Sequence, residues 1–530
     1  MPFPFKRSRQ HEPAAFPRSI LDAVKAFYAT ERREPQYKPK HRRDRTDDDR
    51  KPAAHSTRHR HVNATQAHPR APVARRAHRI TQLPTEVLAH IFVLGAEEGT
   101  MFPVIVSHVC RAWRYIALHT PALWRRVAFR EGGLAMWGQR IHRAKACTLD
   151  VQLAPYVAMS HLAYYNYVQL CMHVVLPYIH RWRSLEVRFV GYAPFLWNAA
   201  LSGCCGHSSA IEAPALRELT LVYPENDDTK EYLLFNGYAP RLRRATIQGI
   251  RLAWVPSLFQ NLTYLDYTHH GFTRGAQAAS EVLYMLQVSA ALEELRLSFP
   301  WRGDAASRYA LSASFSRAVH LPRLRKLALH VDGPDIPPAL TYTLPHLSLP
   351  ILRTLYLIAP PAPRHSQPPD SVFPHLRMVL KALPRLPALS HLHMAYGWLD
   401  ERFLASLLAL LPYPGAPHLT LTLEGPHITY PFLCNALRGA GRRIRALALI
   451  RSDKLTAEAL VDVLNRLSGV RLQSATNLHP AITALYIRDC AGLDWRSLQW
   501  LTMAGVTLKV WENGREVDLR YAKAKKTRFP

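Results

Sequence analysis

Paired cysteines are absent: the seven, Cys110, Cys147, Cys171, Cys204, Cys205, Cys434 and Cys490, are odd in number, scattered, and nowhere spaced Cys-x-x-Cys. That pattern argues against a disulfide framework and against the paired-thiol zinc sites of small folds. Long apolar runs are also missing. Phe403–Leu411 is among the longest, far short of the ~20 residues of a membrane helix. The opening MPFPFKRSRQ carries charge but no apolar stretch of a secretory signal. The expectation is a soluble chain in a reducing compartment, cytoplasmic and/or nuclear. Glycine is scarce, 23 in 530 residues against 41 prolines, which suits many short elements with rigid connections. There is no phosphate loop, no Gly-x-Ser-x-Gly elbow and no convincing acid pair. Catalysis is not expected, nor any cofactor or metal. Acidic residues are few as well, 39 against 68 Lys+Arg, for a formal charge of +29. That surplus favours acidic partners or nucleic acid, although a GC-rich genome raises arginine without any such partner.

The charge is unevenly placed. Residues 1–79 hold 20 Lys+Arg, 8 Asp+Glu and seven His, with little aliphatic material. Such a segment cannot offset its ordering entropy by burial, so a disordered basic arm is expected, with one short amphipathic helix around Ile20–Tyr28. Lys6-Arg7-Ser8-Arg9 and His41-Arg42-Arg43-Asp44-Arg45 match nuclear-import patterns, as would any solvated basic tail. Residues 511–530 form a second basic tail.

At Ile80 the pattern changes. Pro84 suits the first turn of a helix, and Val87, Leu88, Ile91 and Phe92 follow at helical spacing. Val106, Val109, Cys110, Trp113, Ile116 and Ala117 make a second stripe. Pro121 starts a third short element carrying Leu123, Trp124 and Val127. Three short helices in about fifty residues cannot cover all that apolar surface internally. Part of it should dock on a partner.

From about residue 144 to 510 one phrase recurs: apolar, two others, apolar, one other, apolar. Clear copies are Leu216-x-x-Leu219-x-Leu221, Leu292-x-x-Leu295-x-Leu297, Leu324-x-x-Leu327-x-Leu329, Leu352-x-x-Leu355-x-Leu357, Leu389-x-x-Leu392-x-Met394 and Ile444-x-x-Leu447-x-Leu449. Weaker ones centre on Leu149, Leu185, Ala245, Leu265, Leu419 and Leu485. Alternation sends the last two apolar residues inward from a short strand, and segments such as Ala405–Leu411 and Ala457–Leu467 return the chain as helices. The fold class expected is α/β: a short helical module followed by an irregular leucine-rich-repeat-like solenoid with a parallel sheet.

The 80–130 segment resembles the F-box, the adaptor-binding module of SCF-type (Skp–cullin–F-box) ubiquitin ligases. The matching residues are Leu83-Pro84-x-Glu86-Val87-Leu88, Ile91-Phe92, Val109-Cys110-Arg111-x-Trp113, Ile116-Ala117 and Leu123-Trp124. With the downstream repeats, the chain resembles the F-box/leucine-rich-repeat proteins, especially the divergent fungal ones. The resemblance implies that the module docks on a Skp-type adaptor, and through it a cullin scaffold, while the repeats hold a protein substrate for ubiquitination. It places the adaptor face on Leu83, Pro84, Glu86, Leu88, Ile91, Arg111, Trp113, Leu123 and Trp124. One departure stands out. Ordinary repeats put Asn or Cys three residues after the third apolar position; here only Cys490 does, and loops of unequal length are expected at 300–312, 332–346 and 360–372.

Strand alternation also nominates a substrate face, with Tyr264, Tyr356, His391 and His393 as its anchors. Gly203-Cys204-Cys205-Gly206-His207 invites a zinc reading, but adjacent thiols are not the usual spaced ligands, and a loop with idle cysteines accounts for it. Cys171 and His173 are expected in the core. The alternative function class, drawn from the basic arm and the net charge, is a nucleic-acid or chromatin-associated scaffold; no reading module or aromatic interleaving of the basic runs supports it.

Overall fold

The first helix starts where the sequence says it should. Helix α1, Thr85–Glu98, begins directly after Pro84 and carries Glu86 in its first turn, an acidic group against the positive end of the helix dipole. A computed structural model describes residue 80 and residues 83–129, 133–155, 160–206, 209–300, 318–361, 372–411, 418–438, 443–468, 482–502 and 505–517. The proposed arm at 1–79, with its short helix at Ile20–Tyr28, lies outside them, as do His207, most of the 300–312 and 360–372 loops and most of the 511–530 tail. Among the described residues no helix is long and apolar enough to cross a membrane.

The chain divides into two compact units, the first ending at Leu123 and the second beginning at Trp124. In the first, α1 is followed by α2, Phe102–Val109, and α3, Arg111–His119. What reads as one continuous stripe from Val106 to Ala117 is broken at Cys110, whose extended backbone ends one helix and caps the next: the Trp113 N–H donates to Cys110 Sγ at 3.4 Å. Gly95 lets α2 approach α1; a Cβ there would stand 2.4 Å from the Phe102 ring.

In the second unit the main strands are β1 Arg126–Ala128, β2 Leu149–Leu153, β3 Trp182–Arg188, β4 Glu218–Val222, β5 Arg244–Gln248, β6 Tyr264–Thr268, β7 Glu294–Phe299 and β8 Lys326–Val331. They continue with β9 Thr354–Ile358, β10 His391–Ala395, β11 Leu419–Glu424, β12 Ile444–Ile450, β13 Ala484–Arg488, β14 Thr507–Glu512 and β15 Arg515–Glu516. All fifteen form one sheet in chain order, parallel throughout except for the last pair. The sheet thus begins inside the segment expected to be the third helical element. Pro121–Trp124 is a single 3-10 turn, and β1 follows at once.

The repeated phrase explains the sheet. All eighteen apolar side chains of the six clear copies are at most 2% exposed. Their central residues stand in register across neighbouring strands: Leu219 with Ala245, Leu265 with Leu295, Leu327 with Leu355, and Leu355 with Leu392. Two of the weaker copies are centred two residues further on than the sequence suggests, at Val151 and Leu421, each beside a register irregularity. A slip of two keeps every side chain on its own face, so the apolar pattern alone cannot reveal it. The expected 332–346 loop holds a helix, Pro338–Thr343.

Cys490 ties the turn after β13 to the preceding one. Its Sγ accepts from the Ser452 N–H at 3.4 Å and donates to the Leu449 carbonyl at 3.5 Å, which satisfies backbone groups of the preceding turn. At several strand ends the backbone itself also bends. The residue right after β5, β10, β12, β13 and β14 is left-handed: Gly249, Tyr396, Arg451, Asp489 and Asn513.

Candidate functional site

Helix α1 carries two apolar stripes rather than one. Leu88, Phe92 and Ala96, four residues apart, face inward and are at most 7% exposed. Val87, Ile91 and Leu94, with Leu83 just ahead of the helix, form a second stripe that stays 38–51% exposed. A helix that is apolar on more than its core stripe has a face without an internal partner. The neighbouring helices add Ile105, Val109, Tyr115 and Leu118. Among the described residues nineteen large apolar side chains are exposed, and eight of them fall between 83 and 118, a concentration greater than the usual scatter of single exposed apolar residues.

The residues singled out from sequence separate into two groups. Leu83, Pro84, Glu86, Ile91 and Arg111 are at the surface. Leu88, Leu123 and Trp124 are not: they are 5%, 1% and 1% exposed and belong to the interior. Trp113 is half-buried with its ring 4.9 Å from Phe92, so it mainly fixes α3 against α1. Trp124 lies under the Arg143 guanidinium at 4.6 Å. Close by, the buried Arg140 packs over Trp137 at 4.8 Å and donates to the Arg126 carbonyl at 3.0 Å. Burial, with Arg126 and Arg143 nearby, lowers its pKa to about 10, which still leaves it charged at neutral pH. Val87, Leu94, Ile105, Val109, Tyr115 and Leu118 are the surface residues that sequence reasoning left out of the face. Taking Val87, Leu88, Ile91 and Phe92 as a single face hid the second stripe.

The open face of the sheet gathers some of the proposed substrate anchors and separates others. Tyr356 and His393 are paired across β9 and β10, rings 5.7 Å apart, with His391 one pleat earlier opposite Thr354. His393 Nε2 is 3.3 Å from Glu424, whose carboxylate also meets Arg451 at 3.3 Å and the Tyr396 hydroxyl at 3.4 Å. The His393 contact first, and then Arg451 and Tyr396, hold that carboxyl below its usual range against the opposing effect of burial. Tyr264 is three strands away. It sits under Arg244 at 4.1 Å and near Arg296 at 5.8 Å, in a mixed-charge cluster with Asp266, Glu294 and Lys326.

One cluster gave no signal in the sequence. His269 and His270, 2% and 4% exposed, place their ligand atoms with Glu281 within 4.8 Å of one another. Three such groups invite a metal reading, but the ring hydrogen bonds oppose it. The Gly271 N–H donates to His269 Nδ1 and the Phe272 N–H to His270 Nδ1, both at 3.1 Å. Each Nε2 therefore keeps its proton and points it at Glu281 Oε2, at 3.4 and 3.0 Å. A bound metal needs that lone pair, with the other ring nitrogen as donor. The group is a lock of the loop after β6 onto the helix Gly275–Val288. Elsewhere, burial suppresses the thiolate at Cys204 and raises the Cys205 thiol to about 11. Cys171 is in the core as expected, whereas His173 faces solvent.

Residues 80–130 match the family model described as F-box-like. No curated protein matches the chain. The chain therefore carries an F-box-like domain, which suggests an adaptor role in ubiquitin ligase complexes; such domains generally bind Skp-type adaptors.

Proposed function

We propose that the chain is the substrate-recognition subunit of an SCF-type ubiquitin ligase. Its helical unit docks on a Skp-type adaptor, and through that on a cullin scaffold. The sheet unit, read as an irregular leucine-rich-repeat-like solenoid, holds a protein substrate. The chain performs no bond chemistry itself; its contribution is effective concentration, bringing the substrate to the ligase's transfer machinery. The observation that carries this reading is the exposed stripe Leu83, Val87, Ile91 and Leu94 within the segment that matches the F-box-like family. Interface energy concentrates in apolar anchors near the centre of such a face, so the adaptor contact centres on Val87 and Ile91 rather than on the buried Leu88, Leu123 and Trp124. The test is co-purification of full-length chain with a Skp-type adaptor, followed by an ubiquitination assay on proteins captured by the sheet unit. Capture without the adaptor under any condition would refute the assignment.

A further inference from the structure

The residue just before the open-face position of each strand occupies one continuous row along the edge where the strands start. From β3 to β10 it reads Arg183, Arg217, Arg243, Thr263, Glu293, Arg325, Arg353 and Ser390. Each is tied to the previous one by a backbone hydrogen bond from its N–H to the preceding carbonyl, 2.7 to 2.9 Å long. The buried leucines on either side account for the sheet; they do not account for five arginines at one register position. Arg183 is already neutralised, its fork closing on Asp150 at 2.7 and 2.9 Å. Arg217, Arg243, Arg325 and Arg353 are exposed. Arg243 leans on the carbonyls of Pro240, Leu242 and Asn261. Arg217, Arg325 and Arg353 meet no carboxylate within ion-pair distance among the described residues; on the adjoining register Glu218 follows Arg217, and Glu294 is shared by Arg296 and Lys326.

The row therefore has a pattern. Two arginines on adjacent strands are followed by a threonine and an acid, then by two more arginines on adjacent strands. Like charges side by side on neighbouring strands are unfavourable without a counter-charge, and a guanidinium fork suits a carboxylate in two-point contact. At roughly 4.8 Å per strand the midpoints of the two pairs are about 19 Å apart, which an extended peptide covers in about six residues. A uniform polyanion would set a phosphate against Glu293 in the middle of the row.

We propose that this edge binds an extended acidic segment of a protein partner, with two carboxylate clusters about six residues apart, one on Arg217 and Arg243 and the other on Arg325 and Arg353. The proposal rests on the reading of the sheet unit as the partner-holding part of the chain and is independent of what the helical unit binds.

The experiment uses the full-length chain and a fluorescent peptide with two Glu-Glu clusters whose centres are six residues apart in a Gly/Ser background. The same peptide with Gln for Glu is the control, and single-stranded and duplex DNA of matched charge are competitors. The peptide is expected to bind with an affinity that falls as salt rises. The double variant Arg217→Glu, Arg353→Glu should weaken it at least tenfold. The double variant Arg377→Glu, Arg402→Glu makes the same change in net charge at exposed arginines on other parts of the unit and should leave the affinity within twofold. Adaptor capture is measured on the same samples and should not change, so its failure would count against the proposed function alone. No charge-dependent binding of the peptide, equal losses in the two double variants, or displacement of the peptide by DNA at lower concentration than by unlabelled peptide would each overturn the proposal.

Discussion

Glu281 illustrates how much a single side chain can hold when its neighbours converge on it. Burial pushes its pKa up, but the donors on His269, His270 and Thr273 outweigh that and leave the carboxyl well below its ordinary range. A carboxyl depressed in the folded state stabilises the fold fully above its unfolded pKa of about 4.3, and loses that contribution as pH falls toward the folded value. Glu281→Gln should therefore lower the melting temperature by a constant amount above about pH 5.5, and the gap to the parent chain should narrow below about pH 4. A gap that stays constant down to pH 3 would show that the lock does not depend on charge. On α1, Leu88→Ala should cost about 2–5 kcal/mol in denaturant unfolding because it empties a core position. Ile91→Ala, one turn along but on the open stripe, should change stability by less than about 0.5 kcal/mol. If the two costs were equal, the division of α1 into an inner and an outer stripe would be wrong.

At the scale of elements, the strands were legible because each places three apolar residues at a fixed interval, and burial of those residues dictates where each strand must lie. Their ends were less legible. The sequence shows Asn or Cys at the turn only once, at Cys490, whereas the chain turns after several strands by placing one residue in the left-handed region. Non-glycine residues such as Tyr396 and Arg451 do this at some strain, and no composition rule marks them. Gly249 does so freely, at φ +68, and a Cβ there would stand 1.9 Å from the Tyr223 carbonyl oxygen. Gly249→Ala should cost about 1–3 kcal/mol, measured by chemical denaturation. An unchanged midpoint would mean that the turn after β5 can relax. The helical breaks at Cys110 and after Pro121 were hidden for a related reason: apolar spacing continues across both, and only a cap or a change of hydrogen-bond pattern reveals the break.

For the whole molecule, the succession of a helical module and a long parallel sheet could be read from pattern, since period and phrase both change sharply. The composition of the functional face could not. Leu83, Pro84, Glu86, Ile91 and Arg111 reach the surface, yet Leu88, Leu123 and Trp124 go inside, because the same residue types serve core and interface and only the packed helices decide between them. The open-face positions of Tyr356 and His393 follow from strand alternation; the joining of His393 to Glu424, one strand over, does not. The proposed adaptor contact rests on the exposed stripe of α1. The decisive measurement is the dissociation constant of full-length chain for a Skp-type adaptor, compared between the parent and the double variant Val87→Asp, Ile91→Asp. The account predicts a loss of at least a hundredfold, about 2.7 kcal/mol or more, with the melting temperature held to within a few degrees because both side chains are already in solvent. Undiminished adaptor binding by a folded double variant would contradict it.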